Sequence, residues 1–160
     1  MNRALFGAGC FWGIQYYFDE VPGVIKTTVG YSGGDKENPT YDEVCTHTTG
    51  HAEVTLIEFD DKKVSYETLV KHFFRIHDPT QLNRQGSDVG NNYRSVIFYF
   101  DDEQKAKSEK AIKEAQKNYK EHVVTELSPA DKFYEAEPYH QGFSKRTGIG
   151  QCHVSYAPVN

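Results

Sequence analysis

Apolar residues along this chain change their spacing several times, and each change marks an element. Residues 3–6 read as a short buried strand running into Gly7-Ala8-Gly9, after which Phe11, Ile14, Phe18 and Val21 recur at helical spacing until Pro22-Gly23. Residues 24–31 are strand-like and close on Gly33-Gly34. The stretch 35–49 is polar and turn-rich, with room for one short helix near 41–45. Residues 54–59 again suit a strand. Tyr66, Leu69, Val70, Phe73 and Phe74 then share a helical face behind Ser65 as N-cap, in a helix that should end before Pro79. The apolar run 95–100 fits a strand covered on both faces. Asp101 or Asp102 caps a charged helix reaching about residue 119, whose thin apolar side, Ala106, Ile112 and Ala115, places it at the surface. Residues 123–127 and 133–136 suggest further strands and 139–145 a short helix.

This mixture predicts an α+β fold: a two-layer α/β sandwich with a mixed sheet, helices packed on it and a long irregular C-terminal segment, all within a single domain spanning 1–160. Two stretches lack periodicity. Residues 77–94 (HDPTQLNRQGSDVGNNYR) form a long polar connection, and such connections are often functional. The other is the glycine-containing C-terminus from Gly142 onward, a flexible tail or a segment wrapping back over the body.

Composition narrows the function. The 160 residues carry a formal charge of -5, which disfavours nucleic acid as the main partner because phosphates need a positive surface. No stretch approaches the ~20 apolar residues of a membrane span. Three cysteines, Cys10, Cys45 and Cys152, are an odd number and widely scattered, which points to reduced thiols and a cytoplasmic setting. The segment before Cys10 resembles a lipoprotein cleavage site, but its apolar run is too short for a secretory core, so export is not expected.

Cys10 sits where the first strand gives way to the first helix, between Gly9 and Gly13. Free N–H groups and the positive helix end should stabilise a thiolate there and lower the thiol pKa. A small buried core cysteine is the alternative. Phe11 and the lone tryptophan, Trp12, follow directly and could wall an apolar pocket or simply fill the core.

From the segment GCFWG at 9–13 onward, the chain resembles the A class of peptide methionine sulfoxide reductases. VGYSGG at 29–34, PTYDEVC at 39–45, TGHAEV at 49–54, residues 77–95 and YHQGF at 139–143 carry the resemblance in order over nearly the whole sequence. It implies reduction of methionine S-sulfoxide, free or in proteins, to methionine, with no metal or organic cofactor and with electrons from a thioredoxin-like protein. Cys10 matches the family nucleophile and Glu53 its acid; Tyr41 and Tyr93 match phenols that bond the sulfoxide oxygen. Phe11 and Trp12 match the methyl pocket, Asp88 a residue holding the substrate backbone, and His140 a residue lining the site. Cys152, beside Gly148 and Gly150, is the candidate that resolves the sulfenic acid of Cys10 as a disulfide, while Cys45 reads as structural. The chain departs from the family pattern at Thr46-His47, where small residues are typical, at Asn92, where glutamine is common, and at Gly142, where a polar side chain is usual. These changes are expected at the rim of the site.

Taken without the resemblance, Glu53 is a solvated charge beside a strand, Asp88 a turn former, and Tyr41 and Tyr93 two of eleven tyrosines. Cys45, His47 and His51 cluster within seven residues, yet the ligands to complete a zinc site are missing, and both histidines read as solvated loop residues. Two rivals differ in class: a cysteine hydrolase with His51 or His140 as base to Cys10, and a non-enzymatic module binding apolar peptides through Phe11 and Trp12.

Overall fold

The computed structural model describes residues 2–149 and 158–159. Its elements in chain order are β1 (Asn2–Ala8), α1 (Phe11–Asp19), β2 (Val24–Ser32), α2 (Tyr41–Val44), β3 (Ala52–Phe59), α3 (Tyr66–Arg75), β4 (Arg84–Gln85), β5 (Asp88–Val89), β6 (Ser95–Tyr99), α4 (Asp102–Gln116), β7 (Glu126–Pro129), β8 (Phe133–Glu135) and α5 (Phe143–Thr147). Six strands form a mixed sheet in the order β7-β6-β1-β3-β2-β8, in which only β6 and β7 run parallel. The expected α+β architecture, with helices packed on a mixed sheet, is what the chain adopts.

β1 lies between β3 and β6 and packs Ala4, Phe6 and Ala8 into one cluster and Leu5 into another, so both of its faces are covered and its interior reads as a run of small and apolar residues without alternation. Side chains on one face of the sheet, Ala4, Phe6, Ala8, Ile57 and Ile97, meet Ile14, Tyr17 and Phe18 of α1 and Leu69, Val70 and Phe73 of α3. Phe6 is the hub, its ring centroid 5.9 Å from Phe18 and 5.1 Å from Phe73. On the other face Leu5, Ala52, Val54, Val96 and Phe98 form a second cluster with the half-buried Phe133. Here the sheet curls: a Cβ at Gly33, after the end of β2, would lie 2.6 Å from Cζ of Phe98 on β6, although β3 and β1 intervene. Gly33, with φ of 92°, supplies both the missing side chain and the left-handed backbone for this approach.

β2 and β3 pair in register from Lys26↔Glu58 to Tyr31↔Glu53 and Ser32↔Ala52. The irregularity is confined to the far end, where a bulge leaves Ile25 as an extra residue, 57% exposed, between Val24 and Lys26.

The caps at Ser65 and Asp101 form as expected, each side chain accepting from the N–H three residues on. The apolar side proposed for α4 does not. Ala106 is exposed and Ile112 half-buried, and the buried face consists of Gln104, Ser108 and Ala115. Hydrogen bonds hold it: Gln104 Nε2–H donates to the Arg3 carbonyl at 2.7 Å, and Ser108 Oγ lies 2.9 Å from the Tyr66 hydroxyl. The strand expected at 123–127 begins later, at Glu126, because the Val124 N–H turns to the Pro79 carbonyl, 2.8 Å away. The helix expected at 139–145 is divided by Gly142, at φ of 64°, into a 3-10 turn (Pro138–His140) and α5, so the chain beyond Gly142 is more regular than its composition suggests.

The long polar connection is likewise organised. His77 anchors its base, Nδ1–H donating to the Phe73 carbonyl and Nε2 meeting Ser95 Oγ, each at 2.7 Å. Gln85 pairs its amide with both backbone groups of Asp78, at 2.9 and 3.0 Å. β4 and β5 form a small hairpin, and a 3-10 turn (Asn91–Tyr93) leads into β6. No helix among the described residues is long and apolar enough to cross a membrane.

Candidate active site

The end of β1 delivers the chain to the start of α1, and Cys10 occupies the N-cap there in extended conformation. Gly9, at φ of 102°, makes the turn, and the side chain of Gln85 covers its bare α-carbon. Cys10 makes no capping hydrogen bond, but the backbone N–H groups of Trp12 and Gly13 act to lower its pKa, as expected at a helix start. Yet its thiol is pushed up to about 12, not down. Burial outweighs the helix N–H groups, and the charge of Glu53 adds to it. The sequence expectation of a lowered pKa is therefore corrected for the resting site. Position at a helix end is not enough when the thiol is desolvated beside a carboxylate.

Glu53 projects from the second residue of β3, opposite Tyr31 of β2. It is 1% exposed, the reverse of the solvated charge that its local sequence suggests. The Phe11 N–H donates to Oε1 at 3.3 Å and Asn92 Nδ2–H to Oε2 at 3.1 Å. Burial nevertheless pushes its pKa up to about 8, these two hydrogen bonds offsetting only part of the desolvation. At neutral pH the group is a buried carboxylic acid, able to give a proton.

The two phenols converge on it. Tyr41 opens α2, and its backbone N–H is held by Glu137 Oε2 at 3.0 Å while Glu137 Oε1 accepts from the Tyr31 hydroxyl at 3.0 Å. Tyr93 closes the 3-10 turn. The pKa of each is raised, first by burial and then by the facing charge of Glu53, that of Tyr93 to about 12. Both therefore stay protonated and can donate. Cys45 is half-buried and lies close enough for the Tyr41 phenol to lower its pKa, so it borders this cluster.

Phe11 is 1% exposed and forms the floor of an aromatic wall. Trp12, half-buried, stacks on Phe143 at 4.0 Å between centroids and lies against Tyr41 at 6.3 Å. Its indole N–H donates to Nδ1 of His140 at 2.9 Å, which fixes the His140 proton on Nε2. His140 is fully buried, its pKa lowered by that burial, and among the described residues its Nε2 has no hydrogen-bond partner. Asp88 is exposed in β5, not in a turn, and its charge is felt at Cys10, Glu53 and Tyr93. Cys152 lies outside the described residues.

The structure thus brings Cys10, Glu53, Tyr41, Tyr93, Phe11, Trp12, Asp88 and His140 into one region. It adds residues that the sequence did not single out: Phe143, Glu137 and Tyr31. Tyr31 alone had a usable signal, since strand pairing places it opposite Glu53. Asn92 is fully buried against Glu53, which corrects the expectation that it belongs to the rim.

His51 is also not a solvated loop residue. It is 1% exposed, Nδ1 accepting from the Gly34 N–H at 3.0 Å and Nε2–H donating to the Lys36 carbonyl at 2.7 Å. Both ring nitrogens are thereby used in holding the loop, and His140 spends Nδ1 on Trp12, so neither histidine is presented to Cys10 as a base. Among the described residues no group of three or more His, Cys, Asp or Glu is placed to hold a metal.

Comparisons with known proteins agree with this geometry. A family model described as peptide methionine sulfoxide reductase matches residues 2–160. A peptide methionine sulfoxide reductase MsrA of Nautilia profundicola is 52% identical over 159 residues, 99% of this chain and 91% of that protein. The crystal structure of Mxr1 from Saccharomyces cerevisiae in reduced form has a TM-score of 0.89 at 31% identity, covering 99% of this chain and 92% of that one. Mxr1 in complex with Trx2 shares the fold at a TM-score of 0.66 and 22% identity, covering 97% and 90%.

Proposed function

This chain belongs to the peptide methionine sulfoxide reductase family, and we propose that Cys10, Glu53, Tyr41 and Tyr93 carry its reaction. The protein is a thiol-dependent enzyme that returns methionine S-sulfoxide to methionine. The observation that supports this set of residues most is the buried Glu53, kept protonated by desolvation next to the one cysteine at a helix start.

The substrate methyl lies against Phe11 and Trp12, and the sulfoxide oxygen accepts from Glu53 and the two phenols. Cys10 sulfur attacks the sulfoxide sulfur as Glu53 protonates the oxygen. The proton leaving the thiol returns to Glu53, so the carboxyl ends the step as it began. With Glu53 protonated, one of the causes raising the Cys10 pKa is removed. The products are methionine and a sulfenic acid on Cys10, the oxygen having passed from one sulfur to the other. Cys152 thiol then attacks that sulfur, forming a disulfide and releasing water. A thioredoxin-like dithiol reduces the disulfide, as the association of Mxr1 with Trx2 suggests for this partner. Asp88, exposed and with its charge acting on Cys10 and Glu53, holds the substrate backbone, and His140 holds Trp12 in place. No cofactor enters these steps. The whole chain, 1–160, acts as one catalytic domain in the cytoplasm.

The test is an assay of the pure protein on separated sulfoxide epimers with dithiothreitol, together with thiol counting. Reduction of the S epimer alone, with loss of two thiols per substrate in the absence of reductant, is expected. In Cys152→Ser one substrate per enzyme should still react, while turnover with thioredoxin fails and dithiothreitol restores it. A crosslink of Cys10 to Cys45 in oxidised enzyme, with full thioredoxin-linked turnover of Cys152→Ser, would overturn the assignment of Cys152. The hydrolase and peptide-binding alternatives predict no thiol loss at all.

A further inference from the structure

Two of the positions at which the chain departs from its family pattern, His47 and Asn92, touch. His47 Nδ1 lies 2.8 Å from Asn92 Oδ1, and Asn92 Nδ2 in turn donates to Glu53 Oε2 at 3.1 Å. With the amide oxygen toward it, Nδ1 of His47 carries the hydrogen; in the other tautomer Nδ1 would accept. We propose that His47 is a positioning residue for the acid: its Nδ1–H holds the amide of Asn92 in the one orientation that presents N–H, not oxygen, to Glu53. The inference rests on the reading of Glu53 as the proton donor.

An asparagine amide rotated by half a turn fits the same space, and burial alone does not choose between the two orientations. Asn92 is fully buried and hydrogen-bonds Glu53, and its amide acts to lower the pKa of the neighbouring Tyr93 phenol. Rotated, it would put its oxygen toward Glu53. The carboxylic acid would then donate its proton to Asn92, away from the substrate, and the carboxylate form would lose a donor. His47, though exposed, disfavours that alternative in the tautomer that carries its hydrogen on Nδ1, because that N–H needs the amide oxygen.

The site for His47 is built. Its backbone is left-handed, at φ of 64°, directly after α2. Its carbonyl accepts from Asn91 Nδ2 at 3.4 Å. The ring lies over the bare α-carbon of Gly90, where any Cβ would collide with Cε1 and Nδ1. One residue thus ties the loop after α2 to the turn that carries Asn92 and Tyr93. The ionisable groups that face Glu53 directly are Cys10, Asp88, Tyr31, Tyr41, Tyr93 and Cys45. His47 acts on it only through the amide.

Asparagine and aspartate separate this role from mere filling of the loop. Both are among the residues best tolerated in left-handed backbone, and both place a polar atom on Cγ where His47 has Nδ1. Only asparagine can donate from it. Single-turnover rates of methionine sulfoxide reduction, measured against pH without reductant, are the readout. His47→Asn should keep the wild-type rate within about twofold and an unmoved pH profile, whereas His47→Asp should slow the step by about tenfold and move its alkaline limb upward, because the rotated amide withdraws a donor from the carboxylate. Equal behaviour of the two variants in rate and profile overturns the inference. Glu53→Gln is measured alongside. If it leaves the wild-type profile intact, the acid assignment fails and takes the inference with it; if it flattens the profile while the two His47 variants coincide, the inference fails alone.

Discussion

Aromatic rings are buried both along α1 and around its start, yet the two regions differ in what lies among the rings. Toward the sheet, Ile14, Tyr17 and Phe18 join Phe6, Leu69 and Phe73 in a core that is mostly hydrocarbon. The polar edge of that core is closed by pairs such as the Tyr17 hydroxyl and His72 Nδ1, 2.6 Å apart. Around the start of α1, Phe11, Tyr31 and Val44 enclose instead a carboxyl, an amide and a thiol. The first region stabilises the chain by removing apolar surface from water. The second region costs stability, because Glu53 is desolvated with two hydrogen bonds for a group that water would serve better. The difference teaches where to look for chemistry: at the place where burial raises the energy of a charged form and nothing in the packing requires it.

Substitutions should separate the two regions cleanly. Cys10→Ser should lower sulfoxide reduction by at least about a thousandfold, because a hydroxyl is a far weaker nucleophile than a thiol, while thermal unfolding moves little. Phe73→Ala should do the reverse, lowering stability in a urea titration by about 3–5 kcal/mol while the folded fraction keeps its single-turnover rate. Glu53→Gln should slow the chemical step by about a hundredfold, as loss of a general acid does, and should also change how stability depends on pH. Folded Glu53 titrates near 8, above its ordinary 4.5, so the native state holds a proton that the unfolded chain releases between those values. Wild-type stability from this group is therefore complete below about 4.5, declines as pH rises toward 8 and then levels off. Melting curves of Glu53→Gln should lack that decline and so gain on the wild type across the window; a constant offset at every pH would show that Glu53 is not buried in its charged form at all. The same titration should switch off wild-type activity as pH passes about 8. Ala106→Lys, on the exposed face of α4, should change stability by less than about 0.5 kcal/mol and activity not at all, fixing the baseline for both regions.

The hydrophobic spacing was enough to locate β1, α1, β2, β3, α3 and β6, because each is long and packs on the core through the residues that set its period. It placed α4 and its buried Ala115 but misread the rest of the buried face, where Gln104 and Ser108 are buried by hydrogen bonding and Ala106 is not buried, and it missed the hairpin at residues 84–89, whose two-residue strands are too short to show a period at all. At the site, the motifs pointed to the nucleophile, the acid, the phenols and the aromatic wall. They did not give protonation states. The helix start predicted a low thiol pKa, and the opposite sign comes from burial and from Glu53, which reaches Cys10 only through the pairing of distant strands. Asn92 was misplaced at the rim for a related reason: in a run of Gly, Asn and Asp it looks like turn chemistry, and only the folded chain turns it inward.

Pairing of β2 with β3 in antiparallel register has a consequence for how the chain can change length. Successive residues of β3 point to opposite faces, so moving its pairing by one place would carry the carboxyl of Glu53 out of the pocket and bring Ala52 or Val54 in. A single inserted or deleted residue inside the paired region is thus not a small edit; it behaves like a frameshift in side-chain direction. The bulge at Ile25 shows how one extra residue has been absorbed, at the end of the ladder most distant from Tyr31 and Glu53. Homologous chains should therefore vary in length near Ile25, and hardly at all between Lys26 and Tyr31 or between Glu53 and Glu58.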